Sequence, residues 1–199
     1  MSFAPRSPQD VVALIAAYPL AWVVSRDFEA TPLPLLAECD AEGRLISLLG
    51  HYARRNPQVA MFERDPAALI LFAGPQGYVS PTLVSRPRWG ATWNYAAVRI
   101  IADIAFVPAE NDAALRRLAA HLEPEGAWQV EAMGDRYATL IEHIVAFRAT
   151  VTACEATFKL GQDEADDTFA EIVRGHPDRR LARAMLDQGS ARAMMDPAQ

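Results

Sequence analysis

Six apolar segments with the character of β-strands, joined mostly by short polar turns, constrain the fold of this chain more than any other feature. These segments span residues 20–25, 31–38, 44–49, 68–73, 93–107 and 145–160. Helical patterns are confined to the start, the middle and the end of the chain, so strands and helices do not alternate as they would in a parallel sheet. The sequence therefore predicts a mainly β protein, a closed antiparallel barrel of Greek-key type with peripheral helices.

Helix signals begin near the N-terminus. Ser7 is a typical N-cap, Pro8 suits the first helical position, and Pro19 ends the helix that they start. Asn111 occupies a cap position before another apolar and charged periodic stretch. Helices after the first are predicted over residues 59–64, 111–122 and 137–143.

The C-terminal residues differ in character from the strand-rich part of the chain. From residue 163 onward the pattern predicts two short helices, interrupted at Gly175-His176-Pro177. We therefore expect a barrel domain over residues 1–162 and a C-terminal helical extension over residues 163–199.

Prolines and glycines mark the irregular parts of the sheet. Pro32 and Pro34 cannot donate a backbone hydrogen bond, so the segment that carries them is expected at a sheet edge or at a bulge. Glycines and prolines recur over residues 74–90, which predicts a loop there.

Composition excludes several classes of protein. The 199 residues suffice for one substantial core, and the net charge of −6 disfavours a surface built throughout for nucleic acid. No apolar run approaches the roughly 18 residues that a membrane helix needs, and the first residues lack an export signal, so we expect a cytoplasmic protein without a membrane partner. Cys39 and Cys154 lie far apart in strand segments, which predicts small buried side chains rather than a disulfide or a zinc site.

One polar motif, GHYARRNPQ at residues 50–58, follows directly after an apolar strand. Arg54 and Arg55 are planar, permanently charged groups that bind phosphate oxygens through two hydrogen bonds at once. The same pair could also be a solvated charge pair at the start of a helix. His51 beside them does not decide between these interpretations, because a single histidine fits many surroundings.

Four blocks of the chain, in this order and at this spacing, resemble the PaiB-like family of FMN-binding negative transcriptional regulators. The blocks are GHYARRNPQ at 50–58, GPQGYVSP at 74–81, ATWNYAAVRI at 91–100 and FKLGQD at 158–163. The resemblance covers residues 3–163 and implies the split-barrel fold shared with pyridoxamine phosphate oxidases and small flavin reductases. It also implies FMN as the cofactor and a homodimer with the flavin at the subunit interface.

The resemblance assigns roles to particular residues. It implies that Arg54 and Arg55 hold the FMN phosphate with Asn56 as a hydrogen-bond partner, and that the flavin ring lies along the strand backbone near Gly50. Trp93 and Asn94 would meet the flavin or the second subunit, although aromatic residues in a strand are also typical of a core or an interface. The remaining residues implied as FMN contacts are Leu49, His51, Lys159 and Gln162.

Two blocks depart from the family pattern. The family usually has Thr/Ser-His-Leu-Pro where this chain has Thr31-Pro32-Leu33-Pro34. It usually has Lys-Leu-Ser-Gln-Asn where this chain has Lys159-Leu160-Gly161-Gln162-Asp163. These differences concern how the flavin ring is held and leave the expected fold unchanged.

Three functions are compatible with these observations. The first is a flavin-dependent negative regulator of transcription, the second is a flavin-dependent oxidoreductase that acts on a small molecule, and the third is a flavin-free dimer with a vestigial site. DNA is a partner that the resemblance to regulators implies. The tail itself gives it little support, because Pro177 and the neighbouring acidic residues disfavour a DNA-reading helix-turn-helix there. The basic residues available there are Arg174, Arg179, Arg180, Arg183 and Arg192.

Overall fold

A computed structural model of the chain describes residues 2–125 and 127–189, and Arg192 of the predicted basic tail lies outside them. The α-helices of this part are α1 Pro8–Ala17, α2 Pro57–Arg64, α3 Asn111–Leu122, α4 Asp135–Glu142, α5 Asp166–Gly175 and α6 Arg179–Gly189. The strands are β1 Leu20–Ser25, β2 Ala30–Pro34, β3 Leu36–Cys39, β4 Leu45–Ala53, β5 Ala67–Val79, β6 Thr92–Phe106 and β7 Ile144–Lys159.

The strands form one mainly antiparallel sheet with the helices at its periphery, as the sequence predicts, but the sheet has seven strands rather than six. Its strand order is β2-β1-β5-β6-β7-β4-β3. The expectation of a closed barrel is wrong, because β2 and β3 are the two edges of the sheet and are not hydrogen-bonded to each other.

The predicted strand over residues 31–38 is two strands, one at each edge of the sheet. Ala30–Pro34 pairs with β1, and Leu36–Cys39 pairs with β4. Leu35 between them is fully buried, and its amide donates to the carbonyl of Pro19 at 2.9 Å. The edge position predicted from Pro32 and Pro34 is confirmed for β2.

The chain consists of two compact units. One contains residues 1–11, 73–98 and 156–199, and the other contains residues 12–72 and 99–155. β5, β6 and β7 contribute residues to both units. The predicted boundary at residue 162 stays a prediction.

The unit that contains β1 to β4 has an aromatic core. The rings of Tyr52 and Phe147 lie 5.1 Å apart between centroids, and Phe62 and Phe106 also pack on Tyr52. Phe62 lies on α2, and the other three rings lie on strands, so one face of α2 is buried against the sheet. This packing fixes the position of the residues that directly precede α2.

The other unit packs α5 and α6 against the second half of β5. A methyl group at Gly77 would lie 2.9 Å from Leu181 Cδ2 and 3.0 Å from His176 Cε1, so only glycine admits these two side chains. β5 continues through Gly74, Pro75 and Gly77 to Val79, so the loop predicted from residue 74 is wrong over this stretch. The two predicted tail helices are confirmed in the part of the tail that the structure describes.

Two local predictions are also wrong. Asn111 has helical backbone angles (φ −52°, ψ −47°) and is the first residue of α3 rather than its cap. Cys39 and Cys154 are exposed and not buried. Cys154 lies in a stretch of β7, residues 152–155, in which both faces of the strand are exposed. None of the described helices is long and apolar enough to cross a membrane.

Candidate functional site

The polar motif begins inside a strand, because β4 extends four residues beyond the predicted end at Leu49. β7 pairs with β4 from Ser47 to Ala53, whereas β3 accompanies β4 only as far as Leu49. The Arg54 amide donates to the carbonyl of His143 at 2.8 Å, which sets the alternation of the antiparallel ladder. By that alternation, the main-chain groups of His51 and Ala53 point to the side of β4 beyond its pairing with β3, where the carbonyl of Ala53 accepts from the amide of Asn56 at 2.8 Å.

Two side chains of the motif hold the scaffold together. Tyr52 is fully buried, and its hydroxyl donates to Gln58 Oε1 at 3.1 Å. Gln58 Nε2 donates in turn to the carbonyls of Val23 at 3.1 Å and Glu29 at 2.7 Å. Burial raises the pKa of Tyr52, so this hydroxyl stays protonated. Gln58 was not among the predicted site residues, and no local sequence signal reveals these partners, which are distant in sequence.

Asn56 starts α2. Its side-chain oxygen accepts from the amide of Gln58 at 2.9 Å, and its side-chain nitrogen donates to Thr31 Oγ1 at 3.1 Å. Pro57 follows at the first helical position, where its missing N–H costs nothing. The structure therefore shows a helix cap at Asn56, and the predicted contact with phosphate stays a prediction.

Leu49 and Gly50 both face the core. Leu49 is 2% exposed and packs with Ala114 and Ala146. A methyl group at Gly50 would lie 2.4 Å from Leu35 Cδ2 and 3.0 Å from the Phe147 ring, so the core itself requires glycine here. Any flavin contact of these two residues would use their main chain, and it stays a prediction.

The two arginines lie in the turn between β4 and α2, and both are exposed. Arg54 Nε donates to the carbonyl of Glu142 at 3.0 Å, at the C-terminal end of α4, where unpaired carbonyls carry partial negative charge. Within residues 2–125 and 127–189, the terminal nitrogens of Arg54 and the whole Arg55 guanidinium have no hydrogen-bond or ion-pair partner. Their donors are therefore available to a ligand.

A cavity of about 520 Å³ lies beside these arginines. It is lined by Ala53, Arg54, Arg55, Leu140, Glu142, His143 and Ile144. His143 Nδ1 lies 2.7 Å from the carbonyl of Thr139 and donates to it. The two guanidinium groups favour an anion in the cavity, and the carboxylate of Glu142 opposes it.

His51 is half-buried in β4 next to the arginine turn. Burial lowers its pKa, because the charged imidazolium is poorly solvated there. The neutral ring is therefore favoured near neutral pH, and its predicted contact with FMN stays a prediction.

The other predicted residues belong to the unit that contains α5 and α6. Trp93 is half exposed, and its ring nitrogen donates to Gln76 Oε1 at 3.2 Å, while its ring lies 6.1 Å from that of Tyr78. Asn94 is 2% exposed, and its nitrogen lies 3.5 Å from the sulfur of Met185 in α6. Trp93 is thus available at the surface and Asn94 is part of a core.

Lys159 and Gln162 lie at the end of β7 in the same unit. Lys159 Nζ donates to Thr92 Oγ1 at 2.7 Å. Gln162 Oε1 accepts from the amide of Leu160 at 2.7 Å, and Gln162 Nε2 donates to the carbonyl of Phe158. These bonds shape the strand end, and the flavin contacts predicted for both residues stay predictions.

Similar solved structures show which fold this chain has. The flavocytochrome Anf3 from Azotobacter vinelandii is 19% identical, with a TM-score of 0.60 over 78% of this chain and 69% of that chain. The FAD and heme binding protein from Mycobacterium smegmatis is 16% identical, with a TM-score of 0.58 over 86% of this chain and 79% of that chain. The fold is therefore that of the split-barrel flavin-binding proteins.

A family model then places the chain more closely. Residues 1–153 match the family described as "Putative FMN-binding domain", so the chain belongs to this family and FMN is its cofactor. The "Protease synthase and sporulation protein PAI 2" of Bacillus subtilis (strain 168) is 28% identical over 132 residues. That match covers 63% of this chain and 62% of the relative's length, and it confirms the resemblance to PaiB-like proteins.

Proposed function

We propose that this chain is a cytoplasmic homodimer that holds the FMN phosphate on Arg54 and Arg55 and acts as a flavin-dependent negative regulator of transcription. The observation that carries the proposal is a pair of guanidinium groups with unused donors beside a cavity, in a chain of the FMN-binding family. The regulatory role follows the resemblance to PaiB-like proteins.

The arginine turn suits a phosphate for a physical reason. Arg54 is held in place by its Nε bond to the carbonyl of Glu142, so little side-chain freedom is lost when its terminal nitrogens bind an anion. Arg55 adds a second positively charged fork, and charge-assisted hydrogen bonds of this kind are about twice as strong as neutral ones.

The side of β4 beyond its pairing with β3 suits the flavin ring. The main chain of His51 and the amide of Ala53 are directed there, and the lowered pKa of His51 favours a neutral side chain beside them. Bound FMN supplies the redox chemistry of its ring, and the role of the chain is to bind and orient it and to set its surroundings.

The outward face of β1 and β5 supports the homodimer. Leu20 is 63% exposed, Trp22 52% and Leu71 37%, and Trp22 lies directly opposite Leu71 in the strand register. Contiguous exposed apolar surface of this kind is typical of an interaction site, and a two-fold axis would cover the same surface on both subunits.

The dimer is tested by Trp22→Glu, which places a charge in this apolar face. We expect the molar mass from light scattering to fall from dimer to monomer. Leu122→Glu is the matched control, because Leu122 is 53% exposed at the end of α3 and should leave the dimer intact. A monomeric parent protein would overturn the proposed assembly.

The FMN site is tested by titration of the apoprotein with FMN, followed through quenching of flavin fluorescence. Arg54→Ala with Arg55→Ala should weaken binding at least about 100-fold, because hydrogen bonds to charged groups contribute about 1.5 to 3 kcal/mol each. The control is Arg64→Ala with Arg136→Ala, two exposed arginines without a described partner whose loss changes the net charge equally. Unchanged affinity in the first variant would overturn the phosphate assignment.

The regulatory role is separated from catalysis by anaerobic addition of NADH or NADPH to the FMN-loaded protein. A regulator should keep its yellow colour over minutes, since it needs no rapid hydride transfer to its flavin. Rapid bleaching followed by turnover on re-admission of oxygen would instead support the flavin-dependent oxidoreductase.

A further inference from the structure

The loop from Ser85 to Trp89, named here the arginine loop, is fixed at both of its ends. The amide and the hydroxyl of Ser85 donate to the two carboxylate oxygens of Glu171 in α5, at 2.8 and 2.6 Å. Trp89 Nε1 donates to Glu164 Oε2 at 2.9 Å. The bonds from Ser85 hold the pKa of Glu171 below its usual value, so this anchor stays ionised at neutral pH.

Arg86 and Arg88 lie between these anchors, and both are exposed. Arg88 has a φ of 63° and follows Pro87, so it occupies the left-handed position of a turn that glycine or asparagine usually fills. This backbone conformation is less favourable for arginine than it would be for glycine, and the loop nevertheless carries an exposed arginine side chain there.

Arg174 adds a third guanidinium from the last turn of α5. It lines a cavity of about 430 Å³ together with Ser85, the residue directly before Arg86. The other lining residues are Thr82, Leu83, Val84, Glu171 and Gly175. Arg86, Arg88 and Arg174 have no side-chain hydrogen bond and no ion pair within the described part of the chain. The oxygens of Glu171 accept from Ser85, but its negative charge remains, attracts Arg174 and opposes an anion in the cavity.

We propose that the arginine loop and Arg174 form a binding site for phosphate groups, separate from the Arg54–Arg55 pair. Guanidinium groups match the oxygens of phosphate through paired hydrogen bonds. Anchoring at both ends reduces the ordering that a ligand would otherwise have to impose on the loop. The phosphate could belong to a nucleic-acid backbone or to a small phosphorylated molecule, and both present the same chemistry to this site.

The test uses the FMN-loaded protein, so that the site at Arg54 and Arg55 is already filled. Pyrophosphate is titrated by calorimetry as the probe for a small phosphorylated ligand. A 20-base-pair duplex of mixed sequence is titrated by fluorescence anisotropy as the probe for a nucleic-acid backbone. Binding of pyrophosphate alone assigns the site to small ligands, and binding of the duplex with steep salt dependence assigns it to nucleic acid. Binding of neither probe overturns the proposal.

Arg86→Ala with Arg88→Ala should weaken the binding of whichever probe binds the parent protein. The loss should be about tenfold or more for each arginine, because each arginine contributes a charge-assisted hydrogen bond. For the duplex, the slope of log affinity against log salt should fall by about two. Arg174→Ala should weaken binding in the same direction. The matched control is again Arg64→Ala with Arg136→Ala, and an equal loss in the control would overturn the proposal in favour of general charge attraction. FMN affinity should stay unchanged in all these variants.

Discussion

Polar side chains of this protein fall into two groups that look alike in the sequence. Gln58 and Asn111 are buried, and their side-chain nitrogens and oxygens bond to partners inside the protein. Arg54 and Arg55 are exposed, and most of their donors face no partner among the described residues. The difference teaches that hydrogen bonds closed inside the chain hold the fold, whereas donors left open are available for a ligand.

From this difference we expect substitutions in the two groups to have opposite effects on stability and on ligand affinity. Removing a residue of the first group should lower the free energy of unfolding and leave the ligand affinity of the folded protein nearly unchanged. Removing one of the second group should do the reverse, because an exposed arginine without partners contributes little to stability.

Asn111→Ala should give the largest loss of stability. Its side-chain nitrogen donates to the carbonyls of Ile141 at 3.1 Å and Ile144 at 3.0 Å, and its oxygen accepts from the amide of Ala146 at 2.8 Å. Three bonds at about 1 kcal/mol each predict a loss of about 3 kcal/mol in urea denaturation. Arg64→Ala is the exposed control. A loss below about 1 kcal/mol for Asn111→Ala would break the comparison.

Gly50→Ala tests whether the glycine of the motif serves the core or the flavin. The added methyl group would meet Leu35 and Phe147, so we expect a loss of about 1 to 3 kcal/mol in the free energy of unfolding. Gly90→Ala is the matched control, because nothing lies within 4 Å of a methyl group there. A stable Gly50→Ala protein with weakened FMN binding would instead assign this glycine to the flavin.

Local patterns in the sequence predicted the elements of the fold well. The caps and prolines around α1 and the two prolines of β2 act within a few residues, so the sequence displays them directly. The split of residues 30–39 into two edge strands depends on the burial of Leu35 and on the partners of each half. Such long-range pairing leaves no local mark, and a closed barrel was therefore expected.

The site was predictable only in part for the same reason. The positively charged forks of Arg54 and Arg55 are a property of the residues themselves, so their suitability for phosphate is visible in the sequence. The cap at Asn56 and the buried hub at Gln58 depend on Thr31, Val23 and other partners brought close by the fold. Only the contacts in the structure show which polar residues of this short motif hold the fold together and which have donors free for a ligand.

Glu38→Gln extends the comparison to arginines that donate to an acid inside the protein, in contrast to Arg54 and Arg55. Glu38 accepts from Arg148 Nε at 3.0 Å and from Arg117 at 2.7 Å. Burial alone would raise the pKa of Glu38, but the hydrogen bonds from Arg148 and Arg117 outweigh burial and lower it. Because these groups are partly exposed, the substitution should cost only about 1 kcal/mol at pH 7.

The pH dependence of this loss follows from the direction of the shift. A carboxyl group whose pKa is lower in the folded state stabilises the fold above its unfolded value near 4.5, and the contribution disappears as pH falls through the folded value. The difference in urea midpoint between the parent and Glu38→Gln should therefore shrink from pH 5 to pH 3. Glu155→Gln, which removes an exposed pair with Arg99, should show no such trend.

Glu142→Gln should give the smallest effect and acts on the ligand side of the comparison. The residue holds Arg54 through its main-chain carbonyl, which the substitution keeps, while its carboxylate lines the cavity where an anion is expected. Loss of this negative charge should tighten FMN binding by up to about fivefold at low salt, and the gain should fade as salt screens it. Glu63→Gln, an exposed acid that does not line the cavity, is the control. Weaker binding in Glu142→Gln would mean that the phosphate lies elsewhere, because a phosphate in this cavity gains from the loss of a neighbouring carboxylate.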